Sequence, residues 1–265
     1  MSRNRATAPK RAKRSNKPNP RQERNNYLEF AAQSNYHNDG KVIQLFERAR
    51  KKKVEIVPRN ISQETYLLAL ENPQYNMVFG IGPAGTGKTM LATEWAIKQL
   101  RAGLVDRVVI TRPNLAVDDK DIGFLPGDIF KKMAPWMMPI LDVFAEYYSQ
   151  KEIEYMLEEK VLEMVPIAFI RGRTFKNAAI IVDEAQGTTV NSMLSILTRI
   201  GENSKMVVTG DLDQTDRAGE NGLADFVKRF ETSERIAVCK FRHKDIERHP
   251  VIAEILEMYK DRKAP

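Results

Sequence analysis

Six short apolar runs punctuate the chain: Met77–Ile81, Arg107–Thr111, Leu162–Ala168, Ala178–Asp183, Lys205–Thr209 and Arg235–Lys240. Each is rich in valine, isoleucine or alanine and fairly continuous. A strand with one wet face alternates apolar and polar residues, so continuous runs predict strands buried on both faces. Between them lie helical stretches, at roughly 62–71, 87–101, 126–158, 188–200, 220–230 and 245–261. Strand and helix alternate, which predicts an α/β chain with a parallel sheet covered by helices on both faces. The 126–158 stretch contains Pro126, Pro135 and Pro139 and reads as a broken helical insertion. With no internal repeat and no long linker, residues 41–265 are expected to form one compact domain.

The N-terminal segment has a different pattern. After Met1, residues 1–25 hold no large apolar side chain, but they hold nine Lys/Arg, one acid, three prolines and several asparagines. Such a segment cannot bury enough surface to offset the entropy of ordering, so residues 1–40 are read as a disordered basic arm. Residues 1–25 alone carry +8 of a net +7, leaving the remainder of the chain near neutral at −1. Charge this localised suits nucleic-acid phosphates, bound by counterion release; the alternative is a solubilising tail. A transit peptide would need an apolar helical face, which is absent.

Several classes are disfavoured. There is no run of about 18 apolar residues to span a membrane, and no N-terminal apolar stretch for a secretory signal. The lone Cys239 makes no internal disulfide, and His37, His243 and His249 lack zinc-ligand spacing. A reducing, cytoplasmic setting is expected.

The candidate chemistry begins after the first apolar run. Gly82, Pro83, Ala84, Gly85, Thr86, Gly87, Lys88 and Thr89 spell G-x-x-x-x-G-K-[ST] between a strand and a helix. In that context the glycines let backbone N–H groups surround a β-phosphate, and the helix N-terminus adds partial positive charge. Lys88 is placed to reach the β- and γ-phosphates, and the Thr89 hydroxyl to ligate Mg²⁺. Gly80, Gly82 and Gly85 also spell G-x-G-x-x-G. That dinucleotide reading wants an acid at the end of the next strand, which instead ends Thr111-Arg112-Pro113, so it is rejected.

Two further strands end in polar residues. The run Ala178–Asp183 ends in two acids, Asp183 and Glu184, which would emerge beside the phosphate loop. There Asp183 can hold Mg²⁺ and Glu184 can polarise an attacking water. Lys205–Thr209 leads into Asp211 and Gln214, which a neighbouring strand would bring to the same edge. Gln214 could bond the γ-phosphate or the water.

Taken together, the phosphate loop, the Asp183-Glu184-Ala185-Gln186 box and Gly210-Asp211-x-x-Gln214 resemble motifs I, II and III of superfamily-one helicases. More closely, the set resembles PhoH proteins, a family of P-loop ATPases also carried by many phages. Thr111-Arg112-Pro113, Gly123–Asp128, Arg171-Gly-Arg-Thr174 and Arg248-His249-Pro250 strengthen the likeness, which covers about residues 60–260. The box departs from the family at Gly187, where asparagine is frequent.

The resemblance implies a RecA-like core that binds ATP and Mg²⁺ and hydrolyses ATP, in the host cytoplasm if phage-encoded. It assigns Gln63 to the adenine base, against the plainer reading of a surface or helix-capping glutamine, with Ser62 before the helix suited to be its cap. It assigns Arg248, or else Arg242, as an arginine finger stabilising charge on the transferring phosphoryl group. Arg112, Arg171 and Arg173 either contact nucleic acid or phosphate, or are solvated. One RecA-like domain cannot walk along a strand alone, so a homo-oligomer, a hexamer by analogy, or an ATP-coupled binder of RNA or single-stranded DNA is expected. A nucleotide-switched binding module with little turnover and a P-loop kinase are the alternatives.

Deleting residues 1–25 is expected to weaken polynucleotide binding at low salt. Unchanged binding in a filter-retention assay would assign the arm to solubility.

Overall fold

The structure, a computed structural model, describes residues 53–113, 126–214, 221–247 and 251, with side chains from 136 onward in the first helix after the gap. Helix α1 (Ile61–Glu71) precedes β1 (Met77–Ile81), α2 (Lys88–Arg101) and β2 (Arg107–Thr111). Then come α3 (Pro126–Ala145), α4 (Gln150–Glu158), β3 (Leu162–Met164) and β4 (Ala178–Val182). Helix α5 (Val190–Leu197), β5 (Lys205–Gly210), α6 (Gly222–Arg229) and β6 (Ile236–Lys240) complete the described elements.

The six strands form one sheet in the order β3-β2-β4-β5-β1-β6, every pair parallel. All carboxyl ends therefore share one edge, and every loop that follows a strand opens there. Strand β5 lies between β1 and β4, so the phosphate-loop strand and the acid-pair strand are one strand apart. This is a RecA-like P-loop fold.

Side chains alternate between two cores. Val78, Val108, Ile110, Ile181 and Val207 pack with residues of α1 to α4, including Tyr66, Leu91, Trp95 and Ile140. Phe79, Val109, Ile180, Val182 and Val208 pack on the other face with Met193 and Ile196 of α5 and Leu223 of α6. Both faces being covered accounts for the unbroken apolar runs.

Two local expectations are corrected. The third strand is shorter than Leu162–Ala168: it ends at Met164, and a 3₁₀ turn follows at Ile167–Phe169. The helical insertion does not break at Pro135 or Pro139, which lie inside α3. Each proline removes one backbone donor, but Met137, Ile140 and Phe144 are fully buried on the α3 face that meets the core. The break falls after Ala145, and Ser149 restarts the chain as α4 with a reciprocal capping box to Glu152. The expected helix over 245–261 lies almost wholly outside the described residues.

Helix α1 is tied to both sides of the sheet's neighbourhood. Asn60 caps it by accepting from the Gln63 N–H, and Lys205 Nζ on β5 donates to the carbonyls of Leu70 and Asn72 at its other end, 2.7 Å each. A cation is well placed at a helix C-terminus. Midway, the buried Tyr66 ring covers β1: a Cβ on Gly80 would stand 2.9 Å from Tyr66 Cζ. Gly80→Ala is therefore expected to destabilise the fold by about 1–3 kcal/mol, seen as a lower denaturant midpoint. An unchanged midpoint would rule out this close approach.

Candidate active site

The loop Gly82–Thr89 leaves β1 at the carboxyl edge, and backbone bonds set its path. The Gly82 N–H donates to the Gly210 carbonyl at 3.0 Å, and the Glu247 N–H to the Gly85 carbonyl at 2.9 Å. Gly82, at φ +148°, runs against Phe241 beyond β6: a Cβ there would meet the Phe241 carbonyl oxygen at 2.4 Å. The close approach, more than the turn itself, demands glycine. Helix α2 then starts with Gly87 as its N-cap and no side-chain cap. Its first N–H groups are left to point toward an anion.

Lys88 Nζ lies over the loop. It donates to the Gly82 and Pro83 carbonyls at 2.7 Å each and to the Thr86 hydroxyl at 3.2 Å. A phosphate would compete for the same protons. Burial pushes the Lys88 ammonium pKa down, opposed by the charges of Asp211, Glu184 and Asp183. An ammonium so desolvated gains more from an incoming anion than one in water.

Gln63 does not stand open to a base. Its carbonyl accepts from the Arg59 N–H at 2.8 Å, and its amide donates to the Thr86 carbonyl at 3.1 Å. With both ends held by protein and 1% exposure, it braces the phosphate loop from α1. Ser62 is not the cap either: Asn60 is, and the Ser62 hydroxyl donates to Asp245 at 2.8 Å.

The acids come from β4. Asp183, 3% exposed, accepts at one carboxylate oxygen from the Thr89 hydroxyl of α2 and the Thr209 hydroxyl of β5, both at 2.7 Å. Glu184 follows at φ 53°, ψ 43°, a left-handed conformation that costs a glutamate about 1–3 kcal/mol and is characteristic of functional sites. Its carboxylate is held by Arg112 Nη2 at 3.2 Å and by the Gln186 amide. The Gln186 carbonyl in turn accepts from the Asp211 N–H at 3.1 Å, tying the end of β4 to the end of β5.

These groups line one cavity of about 230 Å³, with Lys88, Thr89, Asp183, Glu184, Asp211 and Gln214 on its walls. The residues that sequence reasoning selected on the phosphate loop and on β4 and β5 thus converge. The donor set suits Mg²⁺: a threonine hydroxyl and a carboxylate already share a point, and Mg²⁺ takes one or two protein oxygens plus phosphates rather than an all-protein cage. No cluster of three or more His, Cys, Asp or Glu occurs among the described residues.

The arginines divide. Arg112 is part of the acid pair's surroundings, also 3.7 Å from Asp183, so it is not a solvated arginine. Arg173 pairs with Glu163 at 2.6 Å and lies over the Phe175 ring. Arg171 is exposed. Arg242 lines a second cavity of about 470 Å³ at the start of α1, with Lys240 and Lys244, and not the one beside Lys88. Arg248 lies outside the described residues.

Sequence reasoning missed the roles of Arg112 and Gln186. Gln186 stood in the acid box, but its bonding depends on β5 being the neighbour. Arg112 meets Glu184 because Thr111 pairs with Val182 in the β2–β4 register.

Comparison with known proteins bears on the same residues. The PhoH-like protein family matches residues 55–260. The PhoH-like protein of Synechocystis is 39% identical over 214 residues, 80% of this chain and 64% of that one. Protein PhoH of Escherichia coli is 40% identical over 208 residues, 77% of this chain and 58% of that one. The chain thus spans about three fifths of the length of these curated relatives. Among solved structures, the Pif1 helicase from Candida albicans overlays 78% of this chain and 44% of its own, at TM-score 0.39 and 16% identity, too distant to bear on function. No helix among the described residues is long and apolar enough to cross a membrane. The family match over the phosphate loop, the acid pair and Gln214 joins the geometry in one conclusion: the chain belongs to the family of PhoH-like proteins.

Proposed function

We propose that the protein binds ATP with Mg²⁺ and hydrolyses it, and that hydrolysis is coupled to single-stranded nucleic acid. The observation that carries the reading is the Asp183 carboxylate, held by Thr89 and Thr209 directly beside the phosphate loop, with Glu184 next to it. In this reading the loop N–H groups and Lys88 hold the β- and γ-phosphates, and Lys88 exchanges its carbonyl partners for phosphate oxygens. Thr89 and Asp183 hold the metal, which when bound neutralises phosphate charge. Glu184, fixed from two sides, orients and polarises the attacking water, and Gln214 contacts the γ-phosphate or that water. Gln63 keeps the loop in shape while phosphates come and go.

The coupling to nucleic acid is supported by the +8 charge of the first 25 residues and by the helicase-like motif set. An oligomer is supported by Arg242, which lines a cavity other than that of Lys88, so as a finger it would serve a neighbouring subunit.

ATP turnover with Mg²⁺ is expected to rise with single-stranded RNA or DNA. Lys88→Ala should lose nucleotide binding and turnover together. Glu184→Gln should bind nucleotide but lose about 10²–10⁴-fold in kcat. Wild-type binding of ATP without turnover in a phosphate-release assay would replace hydrolysis with a nucleotide-switched binding module. Sedimentation with ATP and Mg²⁺ is expected to show an assembly, and a monomer under those conditions would remove the ring.

A further inference from the structure

The corner of the sheet formed by β2 and β3 carries groups that hydrolysis does not use. β3 is an edge strand, and its pairing with β2 runs to the very end: the Val165 N–H donates to the Ile110 carbonyl at 2.8 Å. The chain then turns through Ile167–Phe169 at the same carboxyl edge that bears the acid pair. Phe169 is 48% exposed, although Val165 and Ile170 around it are buried at 4% and 2%. A turn anchored on both sides therefore holds a phenyl ring out in water. Arg171 follows, exposed and without an ion pair among the described residues, while Arg173 is pinned to Glu163.

A second aromatic is brought to this corner by a bond. Arg112, at the end of β2, donates through Nη1 to the Trp136 carbonyl of α3 at 2.8 Å. Trp136 is 46% exposed, whereas its neighbour Met137 is fully buried. Through Nη2 the same guanidinium donates to Glu184. One side chain thus joins the peptide of an exposed tryptophan to the acid of the active site.

Exposed aromatic faces beside unpaired arginine are the components of sequence-tolerant single-strand binding, in which bases stack and cations meet phosphates. Ligands of open α/β sheets also enter at the carboxyl edge. We propose that the β2–β3 corner binds single-stranded polynucleotide, with Trp136 and Phe169 stacking bases and Arg171 meeting phosphate, and that Arg112 links the bound strand to Glu184. The proposal rests on the reading above that this protein binds nucleic acid. A base stacked on Trp136 loads the peptide that Arg112 holds, and Arg112 is a positioning residue for Glu184, so strand binding and turnover communicate.

The chain has two tryptophans, and the other, Trp95, is 2% exposed. Its emission is a fixed background. The full chain, titrated with single-stranded RNA or DNA oligonucleotides at about 0.3 M salt to screen the arm, is expected to show saturable quenching of Trp136. Trp136→Phe should abolish the quench. Phe169→Ala should weaken binding of a labelled oligonucleotide about tenfold by anisotropy, with an unchanged melt because the side chain is at the surface. Arg112→Lys, which keeps the charge but cannot fork to both partners, should bind the oligonucleotide normally and lose its stimulation of turnover. Anisotropy binding without quenching, and indifferent to Phe169→Ala, would place the strand elsewhere and overturn this surface while sparing the nucleic-acid reading. Absence of binding to both polymers would overturn both. Stimulation preserved in Arg112→Lys would overturn the link through Arg112.

Discussion

One buried carboxylate organises the site. Asp183 is almost wholly removed from water, and a charge there is tolerable only if it is hydrogen-bonded. Its donors are two hydroxyls from different elements, Thr89 on the helix that follows the phosphate loop and Thr209 on the strand between. Meeting that requirement brings β4, β5 and the start of α2 to one point. The phosphate loop, the acid pair and the end of β5 are thereby held together at one point. Arg112 and Gln186 extend the same logic to Glu184, whose left-handed backbone persists because its side chain is held from both sides.

The back of the phosphate loop is set with equal care by packing. Tyr66 lies across β1 at Gly80, and Phe241 crosses at Gly82. Gln63 reaches from α1 to the Thr86 carbonyl. Three of the residues that define the loop's shape therefore come from a helix before it and a segment after the last strand. Two of the glycines answer neighbours rather than phosphates, which is why the glycine pattern alone admitted a dinucleotide reading. A loop braced in this way can expose N–H groups toward an anion without collapsing into the core. Lys88, resting on the loop's own carbonyls, has bonds it can trade for phosphate oxygens.

Much was legible in the sequence because it depends on local rules. All six strands were visible as continuous apolar runs, since a sheet covered on both faces removes the polar alternation that would otherwise blur them. The phosphate loop was visible because glycine, lysine and threonine at that spacing serve one geometry. The acid pair was visible because two carboxylates at the end of an apolar strand have few structural uses. Local rules also misled. Prolines were read as breaks in α3, but burial of Met137, Ile140 and Phe144 holds that helix through them. Ser62 was a reasonable cap by residue type, yet Asn60 took the role and left the Ser62 hydroxyl for Asp245.

By itself, then, the sequence determined the sequence of elements, the sheet's burial on both faces, the phosphate loop and the identities of its two acids, since each is encoded within a dozen residues of contiguous chain. Only the tertiary structure decided the strand order, and with it everything that depends on neighbours distant in the chain. It placed β5 between β1 and β4 so that Thr209 meets Asp183, set Arg112 against Glu184, turned Gln63 inward to brace the loop, and sent Arg242 to a different cavity. The physical reason is that hydrogen bonds and close packing act over a few ångströms in space, whereas the residues that make them here lie some 20 to 180 positions apart in the chain.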